Sequence, residues 1–304
     1  MTKLLIFTDV EADDFIAITI LIEYYIKKKL NFDDLIICTS YGNANIKKYS
    51  LNKLFESYNI KNIKIFNGIY GIKNEYEMEG KNILSDNELL MLKKCKENEM
   101  EIINNLSFDE YYDIILLMNP CVLMCLIEKI KINKIYAMGG YYNDIISYNW
   151  SINTKASIDL INYVIKNDII FYLFSSHMFA KCYNGYYNYK KFPNVIKRIF
   201  RNDKKSLIYI QNIIKNWNHH VIDEFPSMLQ RIGEENIESQ FAPADVVCMI
   251  GYLYEDIIKK INKVYLTIDE KTDKIFIENN EKSSIYVIDD IYIEKINDII
   301  IDLL

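Results

Sequence analysis

Along the chain, short unbroken apolar runs rich in Ile, Tyr and Phe take turns with longer stretches in which apolar residues return every third or fourth position. The runs Leu4–Thr8, Leu35–Thr39, Ile63–Phe66, Ile114–Met118, Lys134–Met138 and Ile169–Phe174 lack the polar alternation of a half-exposed strand, and so predict strands buried on both faces. The stretches near 14–28, 45–58, 86–104, 121–130 and 154–166 carry the helical period. Their alternation predicts an α/β fold: a mainly parallel, Rossmann-like central sheet flanked by helices. Residues 203–256 read as helical with a break near Gly233. Val264–Ile268, Ile275–Glu278 and Ile285–Ile288 then read as a small antiparallel C-terminal addition before a final helix. No repeat, linker or low-complexity run divides the sequence, so residues 1–304 are expected to form one domain.

Composition narrows the function classes. A hydrophobic fraction of 50% over 304 residues allows a large core. A net charge of -6 argues against nucleic acid, whose partners present a basic face. No run reaches the roughly 18 apolar residues of a membrane span, and the N-terminus lacks an export pattern, so a cytoplasmic protein without a membrane partner is expected. The six cysteines are scattered, so no disulfide framework is expected. Cys121 and Cys125, four apart on an expected helix, read as small hydrophobes. Lys27-Lys28-Lys29 reads as a solvated helix end.

In open α/β sheets the ligand sits outside the carboxyl ends of the strands. The first such turn here is Thr8-Asp9-Val10-Glu11-Ala12-Asp13-Asp14, with four acids in six positions. Two accounts fit this spacing. Acids in the first turn of a helix cap it and offset its dipole, by about 0.3–1 kcal/mol each. Alternatively, converging carboxylates, Asp9 from the strand end among them, surround a hard cation such as Ca²⁺ or Mg²⁺. The magnitudes do not decide between them.

The turn resembles the N-terminal signature of the nucleoside hydrolases, strand then Asp-x-Asp-x-Gly-x-Asp-Asp then helix. Phe7-Thr8-Asp9-Val10-Glu11-Ala12-Asp13-Asp14 keeps three of its four acids, with Phe7 at the first Asp and Glu11 at the Gly. The similarity continues in order along the chain. Thr39-Ser40-Tyr41-Gly42-Asn43 resembles the family's Gly-Asn turn after the second strand, with Asn52 at a later Asn. Leu117-Met118-Asn119-Pro120-Cys121-Val122 resembles its Gly-Pro-Leu-Thr-Asn turn, and Ala137-Met138-Gly139-Gly140 matches its Met-Gly-Gly. Ser147-Tyr148-Asn149 stands at its Glu-Phe-Asn. Ala242-Pro243-Ala244-Asp245 resembles its late His-Asp-Pro motif without the His.

The resemblance implies the nucleoside hydrolase fold and Ca²⁺-dependent hydrolysis of a ribonucleoside to ribose and free base. Asp9, Asp14, Asp245 and the backbone carbonyl of Val122 would hold the Ca²⁺, with Asp9 also the general base. Asp13 and Asn43 would bind ribose hydroxyls, and Asn149 the sugar toward its 5′ side. Carboxylates suit a reaction in which positive charge grows on the sugar. The family's two imidazole donors are missing: Ala244 precedes Asp245, and Glu79-Gly80 stands where relatives have His-Gly. Of the three histidines, His219 and His220, after an expected helix, are candidate leaving-group donors or else an exposed helix end, while His177 reads as structural. Tyr148 and Tyr41 are further candidate donors. Phe7 removes a carboxylate that would orient its neighbours, and Glu11 faces either the ribose or solvent.

Two other readings compete. One is a weak or inactive member of the same family that binds a nucleoside or riboside as a sensor or sequestering protein. The other is a Mg²⁺-dependent phosphohydrolase with Asp9 as nucleophile, which leaves Asp245 and Met138-Gly139-Gly140 without a role. The expected partners are a small-molecule nucleoside and further copies of the chain, in a homodimer or homotetramer.

Overall fold

The computed structural model describes residues 3–40, 44–61, 63–68, 109–182, 205–224 and 243–304. Strand β1 (Lys3–Thr8) leads through a tight turn into α1 (Ala12–Lys28), followed by β2 (Leu35–Thr39), α2 (Ala44–Ser57), β3 (Lys64–Asn67) and β4 (Tyr111–Leu116). Helix α3 (Cys121–Leu126), β5 (Lys131–Gly139), the short strands β6 (Tyr141–Tyr142) and β7 (Ile145–Ile146), and helices α4 (Tyr148–Ser151) and α5 (Thr154–Lys166) come next. Strand β8 (Ile170–Ser175) and helices α6 (Ser176–Cys182), α7 (Lys205–Glu224) and α8 (Ala244–Leu253) precede β9 (Ile258–Asp269), β10 (Lys274–Asn279), β11 (Ile285–Ile291) and α9 (Ile293–Leu303).

One sheet runs through these elements in the order β3-β2-β1-β4-β5-β8-β11-β9-β10-β7-β6. From β3 to β11 all neighbours pair parallel, and from β9 outward they pair antiparallel. Alternate β1 residues enter different cores: Leu4 and Ile6 pack with α1, α2, α7, α8 and α9, while Leu5 and Phe7 pack with α3 and α5. Burial on both faces explains why the strand is apolar throughout. No helix among the described residues is long and apolar enough to cross a membrane.

The mainly parallel sheet and its antiparallel C-terminal strands are as expected, with local differences. Strand β11 pairs parallel with β8 and antiparallel with β9, so the antiparallel part begins one strand later in space. Strand β9 starts at Ile258 rather than near Val264. Its first half is polar because Lys259 and Lys260 reach Asp290 and Asp289 at 2.7 and 2.6 Å. Helix α3 ends at Leu126, where Lys129 N–H turns back to the Leu126 carbonyl at 2.8 Å. The span read as 203–256 contains α7, α8 and a short 3-10 turn at Glu255–Ile257. Gly233 and the expected helix at 86–104 lie outside the described residues.

Candidate metal and sugar site

The chain leaves β1 for β2 on one side and later lays β4 on the other, so the sheet order reverses at β1 and opens a crevice beyond its carboxyl end. The acidic turn fills that crevice. Thr8 ends the strand with a hydroxyl that donates a short hydrogen bond to Asp14 Oδ1 and accepts one from Val10 N at 3.0 Å. Asp14 Oδ2 accepts from Glu11 N at 2.9 Å, as the third residue of a capping box does. Capping therefore accounts for Glu11 and in part for Asp14, whose backbone N–H and side chain complete the box, and leaves Asp9 and Asp13 unexplained.

Glu11 has φ -85° and ψ -176°, extended backbone that any side chain adopts, so a glycine is not needed there. The left-handed residue is Val10, at φ 56°. For a β-branched side chain this is strained. The Thr8 hydroxyl holds its N–H, and the fully buried Val10 side chain packs in the core.

Helices α1 and α8 pack side by side with their N-termini at this crevice, which brings Asp13 and Asp14 to Asp245. Oxygens of Asp13, Asp14 and Asp245 lie within 4.8 Å of one another. Asp9 joins through a hydrogen bond between its carboxyl group and that of Asp14. The trio that closes on itself thus contains Asp13, the expected sugar ligand, whereas Asp9 approaches from the strand side.

Asp9, Asp14 and Asp245 are buried and Asp13 partly so. Burial raises all four pKa values. Asp9's charge lifts Asp13 to about 7; the charges of Asp9 and Asp13 lift Asp14 well above the carboxylate range, and those of Asp13, Asp14 and Asp9 do the same for Asp245. Carboxylates placed this way carry protons or share a cation. The donor set is oxygen only, and oxygens bound to one Ca²⁺ at about 2.3–2.6 Å lie up to about 5 Å apart, so these residues fit that ion.

The opposing charge is Lys47, a lysine that the sequence reading passed over. It is 3% exposed, its ammonium donates a short hydrogen bond to the Asp9 carbonyl, and its charge acts directly on the Asp9 carboxylate. A signal for it exists: Lys47, Leu51 and Leu54 follow the three-to-four spacing of the buried face of α2.

The other expected residues among those described lie on α3, α4, α7 and α8. Val122 is fully buried in the first turn of α3, and its side chain lies 3.2 Å from where a Cβ on Gly68 would stand. Asn149 is partly buried in α4, whose position is set by Asn119, 1% exposed. Asn119 Nδ2 donates to the Asn149 and Trp150 carbonyls at 2.8 and 3.3 Å, and its Oδ1 accepts from Cys121 N at 3.0 Å. Gly139, at φ 119°, lies against Trp150, whose Cδ1 would be 2.9 Å from an added Cβ. Phe7 points into the core on the α3 side.

Ala244, 4% exposed, opens α8 and presents a methyl group where the resembled motif has an imidazole. His219 and His220 lie within α7 rather than after it. His219 is exposed, ten residues or about 15 Å along the helix from Tyr209, whose ring packs on Phe15 in α1. The structure does not join it to the acids. His177 accepts from Asn143 N at 3.2 Å and stacks on Tyr141, a structural setting. Tyr148 is 68% exposed. Asn43, Tyr41, Glu79 and Gly80 lie outside the described residues, as does the side chain of His220. The five cysteines among the described residues are free.

No protein-family model and no curated protein matches the sequence. Solved structures do match. A plant nucleoside hydrolase superposes with TM-score 0.69 at 12% identity, over 99% of this chain and 98% of its own. An inosine-guanosine nucleoside hydrolase gives 0.63 at 16% identity, over 99% and 98%. The inosine-uridine preferring nucleoside hydrolase from Bacillus anthracis gives 0.61 at 12% identity, over 100% and 99%. With a parallel sheet that reverses at β1, an acidic crevice at that point and end-to-end superposition on these enzymes, the chain has the nucleoside hydrolase fold.

Proposed function

We propose that the protein hydrolyses the N-glycosidic bond of a ribonucleoside in a Ca²⁺-dependent reaction. The observation that carries this reading is the convergence of Asp9, Asp13, Asp14 and Asp245 at the sheet's switch point. Asp14, Asp245 and either Asp9 or Asp13 would hold the ion, with the Val122 carbonyl as a further ligand. When bound, Ca²⁺ supplies a Lewis-acid centre that fixes sugar hydroxyls and acidifies water. Asp9, the carboxylate next to Lys47, takes the proton of the attacking water. Asp13 and Asn43 accept and donate to ribose hydroxyls, and Asn149 contacts the 5′ side. Clustered negative charge stabilises the sugar as its bond to nitrogen lengthens; the departing base keeps that bond's electrons and takes a proton from solvent, and Asp9 returns to solvent the proton it took from the attacking water.

The test is incubation of purified protein with inosine, uridine, adenosine and guanosine in Ca²⁺, scored for free base and reducing sugar, with Asp9→Asn as control. Release by the wild type and not by the variant is expected. No release from any riboside overturns the reading.

Ala244 favours a second one. With a buried methyl group before Asp245, the helix start offers no proton to a leaving base. A binding protein that holds a riboside without cleaving it would show Ca²⁺-dependent ribose binding by calorimetry and no turnover.

A further inference from the structure

We propose that Lys47 is a positioning residue that clamps the Asp9 turn through its backbone carbonyl and places a fixed positive charge beside the carboxylate cluster that would hold the cation. The proposal rests on the metal and base roles given above. Three observations support it. Lys47 is 3% exposed, and an ammonium taken out of water to that extent is stabilised by a nearby anion or by strong acceptors. Its acceptor is the carbonyl of Asp9, the residue immediately before the left-handed Val10, so the bond holds the turn at the point where the backbone is strained. Its charge acts on the Asp9 carboxylate, which is itself tied to Asp14 of the trio whose oxygens close within 4.8 Å.

A lysine held on the Asp9 carbonyl fixes the turn and opposes the Asp9 charge, so Asp9 keeps its aim at the sugar and water. The same positive charge repels a divalent cation. Lys47 therefore lowers Ca²⁺ affinity somewhat while supporting the Asp9 step, two effects of opposite sign that a purely structural lysine would not separate.

Calorimetric Ca²⁺ titration of chelator-stripped wild type, Lys47→Met and Lys47→Arg, alongside riboside turnover with the same proteins, tests this. Lys47→Met is expected to bind Ca²⁺ at least threefold more tightly than wild type while kcat falls tenfold or more. Lys47→Arg, which keeps the charge, is expected to keep Ca²⁺ affinity within twofold of wild type. If Lys47→Met does not fold, Lys47→Gln gives the same comparison. Weaker or unchanged Ca²⁺ binding in the neutral variant overturns the proposal, as does unchanged kcat in an active protein. A wild type that binds Ca²⁺ but cleaves no riboside defeats the functional reading instead, and the affinity comparison then decides the placement of the Lys47 charge by itself.

Discussion

Raising the pH from 5 to 8 without divalent cations will destabilise this protein, and Ca²⁺ will remove most of the effect. An Asp carboxyl titrates ordinarily near 3.8, whereas in the fold burial, with Asp9's charge, pushes Asp13 up to about 7. Burial and the neighbouring carboxylates likewise raise Asp14 and Asp245 well above the ordinary Asp range. Between those values the native state holds protons that the unfolded chain has released. Each group's contribution is therefore complete below its unfolded pKa and is lost as pH rises through its folded one. For Asp13 the loss runs at about 1.4 kcal/mol per pH unit, or roughly 3 kcal/mol between pH 5 and 7. With about 2.1 cal/mol/K of unfolding entropy per residue over 304 residues, Tm falls by about 4 °C from Asp13 alone, and Asp14 and Asp245 add to the fall. Surface carboxyls do not blur the slope. Asp289 and Asp290, held low by hydrogen bonds from Lys260 and Lys259, and Asp269, held low by Thr272, lose their contribution only as pH drops below the ordinary Asp range. Bound Ca²⁺ replaces the protons, so its stabilising increment should grow with pH. Scanning calorimetry at pH 5, 6, 7 and 8, with chelator in excess or with Ca²⁺ in excess, measures both curves. A metal-free Tm that is flat or rises over this range refutes the reasoning, as does a Ca²⁺ increment equal at pH 5 and pH 8.

Three substitutions probe the supports of the site. Thr8→Val removes the donor to Asp14 and the acceptor for Val10 N, and should cost about 1–3 kcal/mol in urea unfolding and weaken Ca²⁺ about 10–100-fold by calorimetry. Asn119→Ala removes the acceptor for Cys121 N and the donor to the Asn149 carbonyl, while the Trp150 carbonyl keeps Ser157 Oγ; about 1–3 kcal/mol of destabilisation and a raised KM for the riboside are expected from unfolding and steady-state assays. Gly251→Ala puts a Cβ 2.2 Å from Phe174 Cζ in a buried contact, which should cost about 1–3 kcal/mol and weaken Ca²⁺ because the helix carrying Asp245 is pushed outward; an unchanged Tm would count against that packing.

How far such a site can be read in advance depends on whether each role imprints a local pattern. The parallel strands were legible because burial on both faces forces continuous apolar runs, as in Leu4–Thr8. Strand β9 was legible only from Val264 onward, because lysines that pair with Asp289 and Asp290 masked its start. In the acidic turn the residues were visible but their partition was not. Four carboxylates in sequence do not say that Asp14 takes the Thr8 hydroxyl and the Glu11 N–H, which the turn between β1 and α1 decides, nor that Asp13 closes with Asp245, which the packing of α1 on α8 decides. Lys47 is the sharper case. It lies with Leu51 and Leu54 on the buried face of α2, and its charge acts on Asp9 in opposition to the other carboxylates. A charged residue on an apolar stripe is costly unless something across the interface answers it. Here the answer is the carbonyl and carboxylate of Asp9, so the misfit in the helix and the crowding in the turn are two halves of one electrostatic arrangement.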